Sequence, residues 1–401
     1  MRFRAAALAL LLVVSAVGAV AAPAATQEGE GEAYSGAFVE FDTTGAVVSD
    51  YAVDGSVVVE NVTMQSASEA EGGLEAGLSS VTSLDGSGLS VDSRAGVAIV
   101  SSESGAEMET HDNQRGVVQI SADGESQVVH ASVDGEAESE SDSRVVVTND
   151  DGTQGTFLVV GDGEATVNEE GDVVAQVDSD SQLVYRQYNE ERSDEDEKQE
   201  RMIQNGTATA EVYVHGAAES GGESGDEAEN EGTSVVEYGQ DTTVEVQERS
   251  ESRINMTAER TERQGKVIIT TVSDETFGSA ESTEVFVDGE AAAEADSYGE
   301  VQQATQDGDN SRYLVRQSSS AEAATDVVIG INHFSERQVS MQSTDDGGEM
   351  TETEDGSMDD EMTETEDGST DDGSDGDGAG FGVIAALVAL AATLVAVRSR
   401  L

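Results

Sequence analysis

From about Ala33 to Gln342 the chain alternates apolar and polar residues with a period of two, as in Thr243-Val-Glu-Val-Gln-Glu248 and Ala208-Thr-Ala-Glu-Val-Tyr-Val214. That period places one apolar and one acidic face on each strand, the pattern of an antiparallel sheet with one side on a core and one in water. Asp-Gly punctuates the β-branched runs, as in Tyr51-Ala-Val-Asp-Gly-Ser-Val-Val-Val59. Further pairs begin at Asp85, Asp123, Asp134, Asp151, Asp162, Asp288 and Asp307, and Asn205-Gly206 is the Asn version. Such pairs suit type I′ turns, in which both central residues need φ > 0, so each is a hairpin candidate. With Pro23 the single proline, Gly and Asp must set the turns. The predicted fold class is therefore all-β: antiparallel, sandwich-like or stacked β units over 23–343.

Two segments break the alternation. Asn189 to Arg201 (NEERSDEDEKQER) and Ala217 to Gly232 (AAESGGESGDEAENEG) read as exposed loops or a short polar helix with no core to bury. An internal duplication is one reading of Phe157–Ala165 followed by Leu183–Gln187, against Val285–Ala291 followed by Tyr313–Gln317. Chance matching in a chain rich in Val, Asp, Gly and Glu is the other.

The period of two disappears at both ends. Residues 1–22 read as a signal peptide, with Arg2 and Arg4, an apolar stretch from Ala5 to Val14, and Ala19 and Ala21 as the small residues of the cleavage site. Residues 344–378 contain a 12-residue tandem repeat, Glu349 to Asp360 and then Glu361 to Asp372. A tract so acidic and so rich in Ser and Thr is a self-repelling stalk. Phe381 to Val397 carries no charge, and Arg398 and Arg400 follow. As a helix it would span about 25 Å, enough to cross a hydrocarbon core. The positive-inside rule then sets the C-terminus in the cytoplasm and the ectodomain outside.

The run Gly380-Phe381-Gly382, a short apolar helix and a terminal Arg pair resembles the C-terminal sorting signal of haloarchaeal cell-surface proteins, a Pro-Gly-Phe motif with a membrane helix and a basic end. The resemblance covers residues 379–401 and implies cleavage by an archaeosortase and attachment of a lipid. Ala379 stands where the family has Pro.

Charge narrows the environment. The 401 residues include 84 acids against 19 bases, a formal net charge of −65. Such a chain repels itself in dilute buffer, but at 1 M salt the Debye length falls to about 3 Å. A hypersaline setting accommodates it, and nucleic acid and anionic membrane surfaces are excluded as electrostatic partners. With no cysteine there is no disulfide, thiolate metal site or cysteine nucleophile.

Little chemistry is legible. His111, His130, His215 and His333 are scattered without metal-ligand spacing, and no G-x-S-x-G, Walker or H-E-x-x-H motif occurs. Asp178-x-Asp180 and Asp307-x-Asp309 begin like calcium loops but lack Gly at the sixth place and Glu at the twelfth. No cofactor, metal site or catalytic constellation is assigned. Asn61, Asn205 and Asn255 each head an N-x-Thr sequon, on the side of the membrane to which the signal peptide delivers them.

The functional expectation is a non-catalytic, exported, membrane-anchored surface protein of a halophile, contributing to envelope structure or surface contact, with envelope glycoproteins among its partners. The alternatives are an extracellular binding module for a solute or polysaccharide and, last, an exo-hydrolase. A deep pocket lined by Tyr185, Tyr188, Tyr213 or Tyr313 would favour binding, since carbohydrate sites stack on aromatics. A cleft with a buried, pKa-shifted carboxylate pair would mark a hydrolase.

Overall fold

The computed structural model describes residues 31–343, apart from 75–76, 95, 123, 216–231, 240, 251, 274–281 and 319–323. Ala19, Ala21, the stalk, Gly380, Phe381, Gly382, Arg398 and Arg400 lie outside the described residues, as does nearly all of the acidic insert 217–232. Chain contacts divide the protein into two compact units, 1–348 and 349–401, and the described residues belong to the first. Among them no helix is long and apolar enough to cross a membrane.

The fold is all-β and largely antiparallel, in four sheets. Edge to edge, the first runs Ala33–Ser35, Val39–Thr44, Val47–Val53, Ser56–Ser66, Gln127–Ser132, Val173–Val177 and Gly163–Val167. The second runs Gly135–Ser141, Arg144–Asn149, Gln154–Val160, Gln182–Tyr188, Val118–Ala122, Ala106–His111, Val97–Ser102 and Leu89–Arg94. The third comprises Thr233–Glu237, Ala208–Val214, Gln264–Ser273, Ala324–His333, Arg312–Gln317 and Ala293–Glu294. The fourth comprises Thr242–Ser250, Arg253–Arg260, Glu336–Ser343, Thr283–Val287 and Glu290–Ala291.

Apolar side chains fill three seams between these sheets. Phe41, Met64 and Val129 of the first sheet meet Met108, Ile120 and Phe157 of the second. Val212, Ile268 and Ile329 of the third meet Ile254, Met256 and Met341 of the fourth. The outward face of the second sheet, at Leu158 and Val184, then packs on the outward face of the third, at Ile269 and Val328. The two sandwiches thus stack into four layers.

Outer strands keep the expected alternation. Val39–Thr44 is buried at every second residue, and in Thr242–Ser250 the residues Thr242 and Val244 are buried while Thr243 and Glu245 are exposed. Inner strands depart from it. Ala208–Val214 is buried at all seven positions, and Gln182–Tyr188 at six of seven. Their second face, expected to be acidic and wet, is covered by the other sandwich.

The Asp-Gly hairpin expectation holds as a two-residue turn at two places, and Asp151-Gly152 lies in the longer loop of a third hairpin, between Arg144–Asn149 and Gln154–Val160. Asp54 and Gly55 have φ of 50° and 76° and close a two-residue hairpin with Val53 opposite Ser56. Asp288 and Gly289, at 53° and 80°, do the same between Val287 and Glu290. Asp134-Gly135 and Asp162-Gly163 instead stand where the chain crosses between the first and second sheets. There the strand after the turn pairs elsewhere. A Cβ on Gly135 would strike the Thr148 carbonyl, so only glycine fits that crossing.

Three helices interrupt the strands: α1 (Ala67–Leu74), α2 (Asp194–Gln204), which overlaps the segment read as a loop or short polar helix, and α3 (Tyr298–Asp307). Helix α2 carries a capping box: Ser193 Oγ accepts from Asp196 N at 3.2 Å, and Asp196 Oδ2 accepts from Ser193 N at 2.9 Å. Four acids occupy its first turn and Arg201 its last, matching the helix dipole. Asn205-Gly206 ends this helix rather than forming a hairpin: Asn205 is the C-cap and Gly206 takes φ of 66°. Helix α2 is not a coreless polar segment. It buries Asp196, Gln199, Glu200, Met202 and Ile203 in the middle seam.

The two halves of the suggested duplication sit in different pairings. Gln154–Val160 and Gln182–Tyr188 pair directly in one sheet, whereas Thr283–Val287 and Arg312–Gln317 belong to different sheets.

Candidate functional site

Chemistry concentrates in the middle seam. Arg186, on an inner strand of the second sheet, reaches Glu211 on the third at 2.5 Å, with side-chain exposures of 0% and 1%. The other oxygen of Glu211 accepts from the Tyr213 and Tyr238 hydroxyls, each at 2.8 Å. Arg186 also donates to Tyr188 Oη and to Gln199 Oε1, both at 3.2 Å. Arg115 lies 3.4 Å from Asp196 and 3.5 Å from Asp326. Asp326 is held further by Gln199 at 2.8 Å and by Thr271 Oγ1 at 2.8 Å. Glu200 accepts from Tyr188 at 2.7 Å and pairs with Arg192 and Arg144.

Arg115, Arg144, Arg186 and Arg192 therefore meet Asp196, Glu200, Glu211 and Asp326, four charges of each sign. Burial works against the Arg186 charge, but Glu211 lying against it reverses the balance and raises its pKa. Burial pushes the Tyr213 and Tyr238 phenols well up, with Glu211 adding to it, so both remain hydroxyl donors. This network clamps the second sheet, the third sheet and α2. Arg115, Arg186, Asp196, Glu200, Glu211 and Asp326 are sealed from solvent, so this inner part positions layers, while Arg144 and Arg192 reach out to exposed Glu140.

At the edge of the same seam an open cleft of about 490 Å³ is lined by Glu109, His111, Gln119, Gln182, Glu237 and Tyr238, with Ser121, Ser181 and Thr242 around them. Amides bridge the two sheets at its floor. Gln119 Nε2 donates to Gln182 Oε1 and to the Glu237 carbonyl, both at 2.9 Å, and Gln182 Nε2 donates to the Tyr238 carbonyl at 3.1 Å. That orientation leaves Gln119 Oε1 to accept from His111 Nε2 at 2.9 Å, which sets the proton of neutral His111 on Nε2. Burial lowers the His111 pKa, opposed by Glu109 at 3.7 Å. Burial raises Glu237, with the amide of Val244 donating to it at 2.7 Å in opposition. Amides, hydroxyls and carboxylates around one tyrosine form a donor and acceptor set suited to a polyol.

The four tyrosines named as a carbohydrate platform are packing residues. Tyr185 lies in the first core, Tyr188 and Tyr213 in the ion network, and Tyr313 is 7% exposed. Asn61 is exposed on Ser56–Ser66, Asn205 is exposed at the end of α2, and Asn255 is half-buried, with its amide on Glu248 at 2.6 Å. The structure does not bring these three together, since they sit on the first sheet, on α2 and on the fourth sheet. Near His130, both the imidazole and Ser132 Oγ contact Asp172, at 3.2 and 3.1 Å. Serine and histidine are thus joined through the acid, the reverse of a nucleophile–base–acid order. Among the described residues no group of three His, Asp or Glu side chains is arranged to hold a metal. The clamp residues Arg115, Arg186, Glu211 and Asp326 were missed from sequence. For Arg186, Glu211 and Asp326 the one signal is a charge set within an otherwise apolar strand, as in Leu183-Val-Tyr-Arg, whereas Arg115 lies in the turn between Ala106–His111 and Val118–Ala122.

No family model matches the chain, and no curated protein matches it. Among solved structures it is similar to a mutant form of the glycoside hydrolase family 81 protein of Clostridium thermocellum, at 9% identity and a TM-score of 0.34. That likeness covers 77% of this chain and 34% of the other, so the chain spans about a third of that protein's length. A likeness at this level carries no argument about activity.

Proposed function

We propose that this chain is a non-catalytic, exported surface protein of a halophile, held on the outer face of the cell membrane through its C-terminal segment and contributing to envelope structure or surface contact. The observation that carries the reading is the filled four-sheet stack: three packed seams, the middle one clamped by four arginine and four carboxylate groups. Such a body suits bearing load or holding distance. Its surface suits the same role, since Val57, at 37%, is the one large apolar side chain exposed among the described residues. Export and anchoring rest on the two terminal segments, with an archaeosortase-like enzyme as the processing partner and a lipid as the final anchor.

The test is the intact mass of the membrane-bound form, with a tag placed in the stalk to locate the protein. Loss of both termini and a lipid mass at the cell surface are expected. A cytoplasmic protein retaining Met1 through Leu401 would overturn the reading. The second reading, an extracellular binding module, is favoured by the polar cleft at the seam. Saturable binding of a neutral oligosaccharide that Glu237→Gln weakens would support it.

A further inference from the structure

Cations are scarce in this chain, at 19 against 84 acids, so their clustering is not compositional background. Three of them, Lys198, Arg201 and Arg316, line one cleft of about 490 Å³ between α2 and the start of α3, together with Tyr298, Glu195 and Asp296. An average surface patch of this protein would hold about four acids per base. Here bases outnumber acids.

The three are differently committed from the buried arginines. Arg115, Arg186 and Arg260 face carboxylates from side chains at most 3% exposed. Arg316 donates Nη1 to the Val315 carbonyl at 2.8 Å and Nη2 to the Asp296 carbonyl at 2.9 Å. Those carbonyls hold the guanidinium in place without neutralising it, and three of its five N–H groups make no hydrogen bond among the described residues. Lys198 pairs with Glu195 at 3.4 Å, and Arg201 with Glu197 at 3.0 Å, all with side chains 36–49% exposed. Exposed pairs of this kind contribute little and yield readily to a better anion. The Lys198 ammonium also lies 5.6 Å from the centre of the Tyr298 ring, which keeps it over the cleft.

We propose that this cleft binds a small solute bearing two or more oxyanion groups, with Arg316 as the fixed fork and Lys198 and Arg201 as the closing cations. Its volume falls in the range of small-molecule sites, roughly 300–1,000 Å³. In molar salt long-range attraction is screened beyond about 3 Å, so contact-distance, forked hydrogen bonding is what selects such a ligand. The site is separate from the seam cleft and does not depend on the surface role.

Asn205 also lines the cleft, so a glycan there would stand at its mouth. The test therefore uses the full chain carrying Thr207→Ala, which removes that sequon. Citrate and inorganic phosphate are titrated separately by calorimetry at constant molar sodium chloride. Saturable binding of at least one is expected, weakened tenfold or more by Arg316→Gln and several-fold by Lys198→Gln. Arg253→Gln, on the fourth sheet, should leave it unchanged. Citrate alone binding identifies a polycarboxylate, and phosphate alone a phosphate-bearing solute. Circular dichroism confirms that each variant is folded, and the exposed Lys198 supplies the second variant. Binding of neither probe, or binding indifferent to both Arg316→Gln and Lys198→Gln, overturns the proposal.

Discussion

Replacing Arg186 by Met tests whether the ion network holds the two sandwiches together. Methionine fills most of the volume and leaves Glu211 at 1% exposure without its counter-charge. The Tyr213 and Tyr238 hydroxyls still donate to Glu211, but Gln199 Oε1 loses its Arg186 donor. Breaking a buried pair by removing one partner costs about 3–5 kcal/mol. Against a typical total of about 5–15 kcal/mol that is a large fraction. Arg186→Met with Glu211→Gln removes both charges while keeping an amide oxygen for one tyrosine, so it should recover at least half of the loss. Urea unfolding in molar salt, followed by tyrosine fluorescence and circular dichroism, measures both variants. Because the pair is sealed, the loss should not change between 1 and 4 M salt, whereas the contribution of an exposed pair would fall. A single-variant cost below about 1 kcal/mol, or a double variant costing the sum of the two singles, would refute the reasoning.

His111 and His215 are both lowered by burial, so each contributes stability that is present above its unfolded value of 6.5 and lost as pH falls through the folded value. Between pH 7 and 5 the wild type should lose stability relative to His111→Gln, and parallel curves would reject that role for His111. The net charge of −65 predicts that the β spectrum of the ectodomain collapses in dilute buffer and returns in molar salt; a spectrum constant across the series would reject it. Peptide mass spectrometry of native protein should find hexose mass first on Asn205, which is exposed at a helix end, and least on Asn255, whose amide is engaged by Glu248. Three bare asparagines would exclude N-glycosylation.

Strand content was legible because its signal is local. A period of two in Val39–Thr44 or the first half of Thr242–Ser250 records a strand with one wet face, and the structure returns that pattern through Val39–Thr44 and from Thr242 to Glu245. Asp54-Gly55 and Asp288-Gly289 were legible for the same reason, since each turn is decided by its own two residues. The seam cleft was not, because its lining comes from residues 109 to 243 and from both sandwiches.

What the sequence by itself determined is the class of fold, two of its tight hairpins and the acidic character of its surface. All three follow from residue type and near-neighbour spacing. Tertiary structure alone decided which faces stay dry. In Ala208-Thr-Ala-Glu-Val-Tyr-Val214 the alternation reads Glu211 as solvated, yet the second sandwich covers that face and Arg186 answers the charge. Helix α2 shows the same limit. Asp196, Gln199, Glu200 and Ile203 keep the spacing of a buried helical stripe, but three of the four are polar, so hydropathy conceals it. A polar group can be buried only when its partner is already in place. That partner lies 25 residues away for Arg186 and 211 for Arg115 with Asp326, a distance over which sequence pattern carries no pairing information.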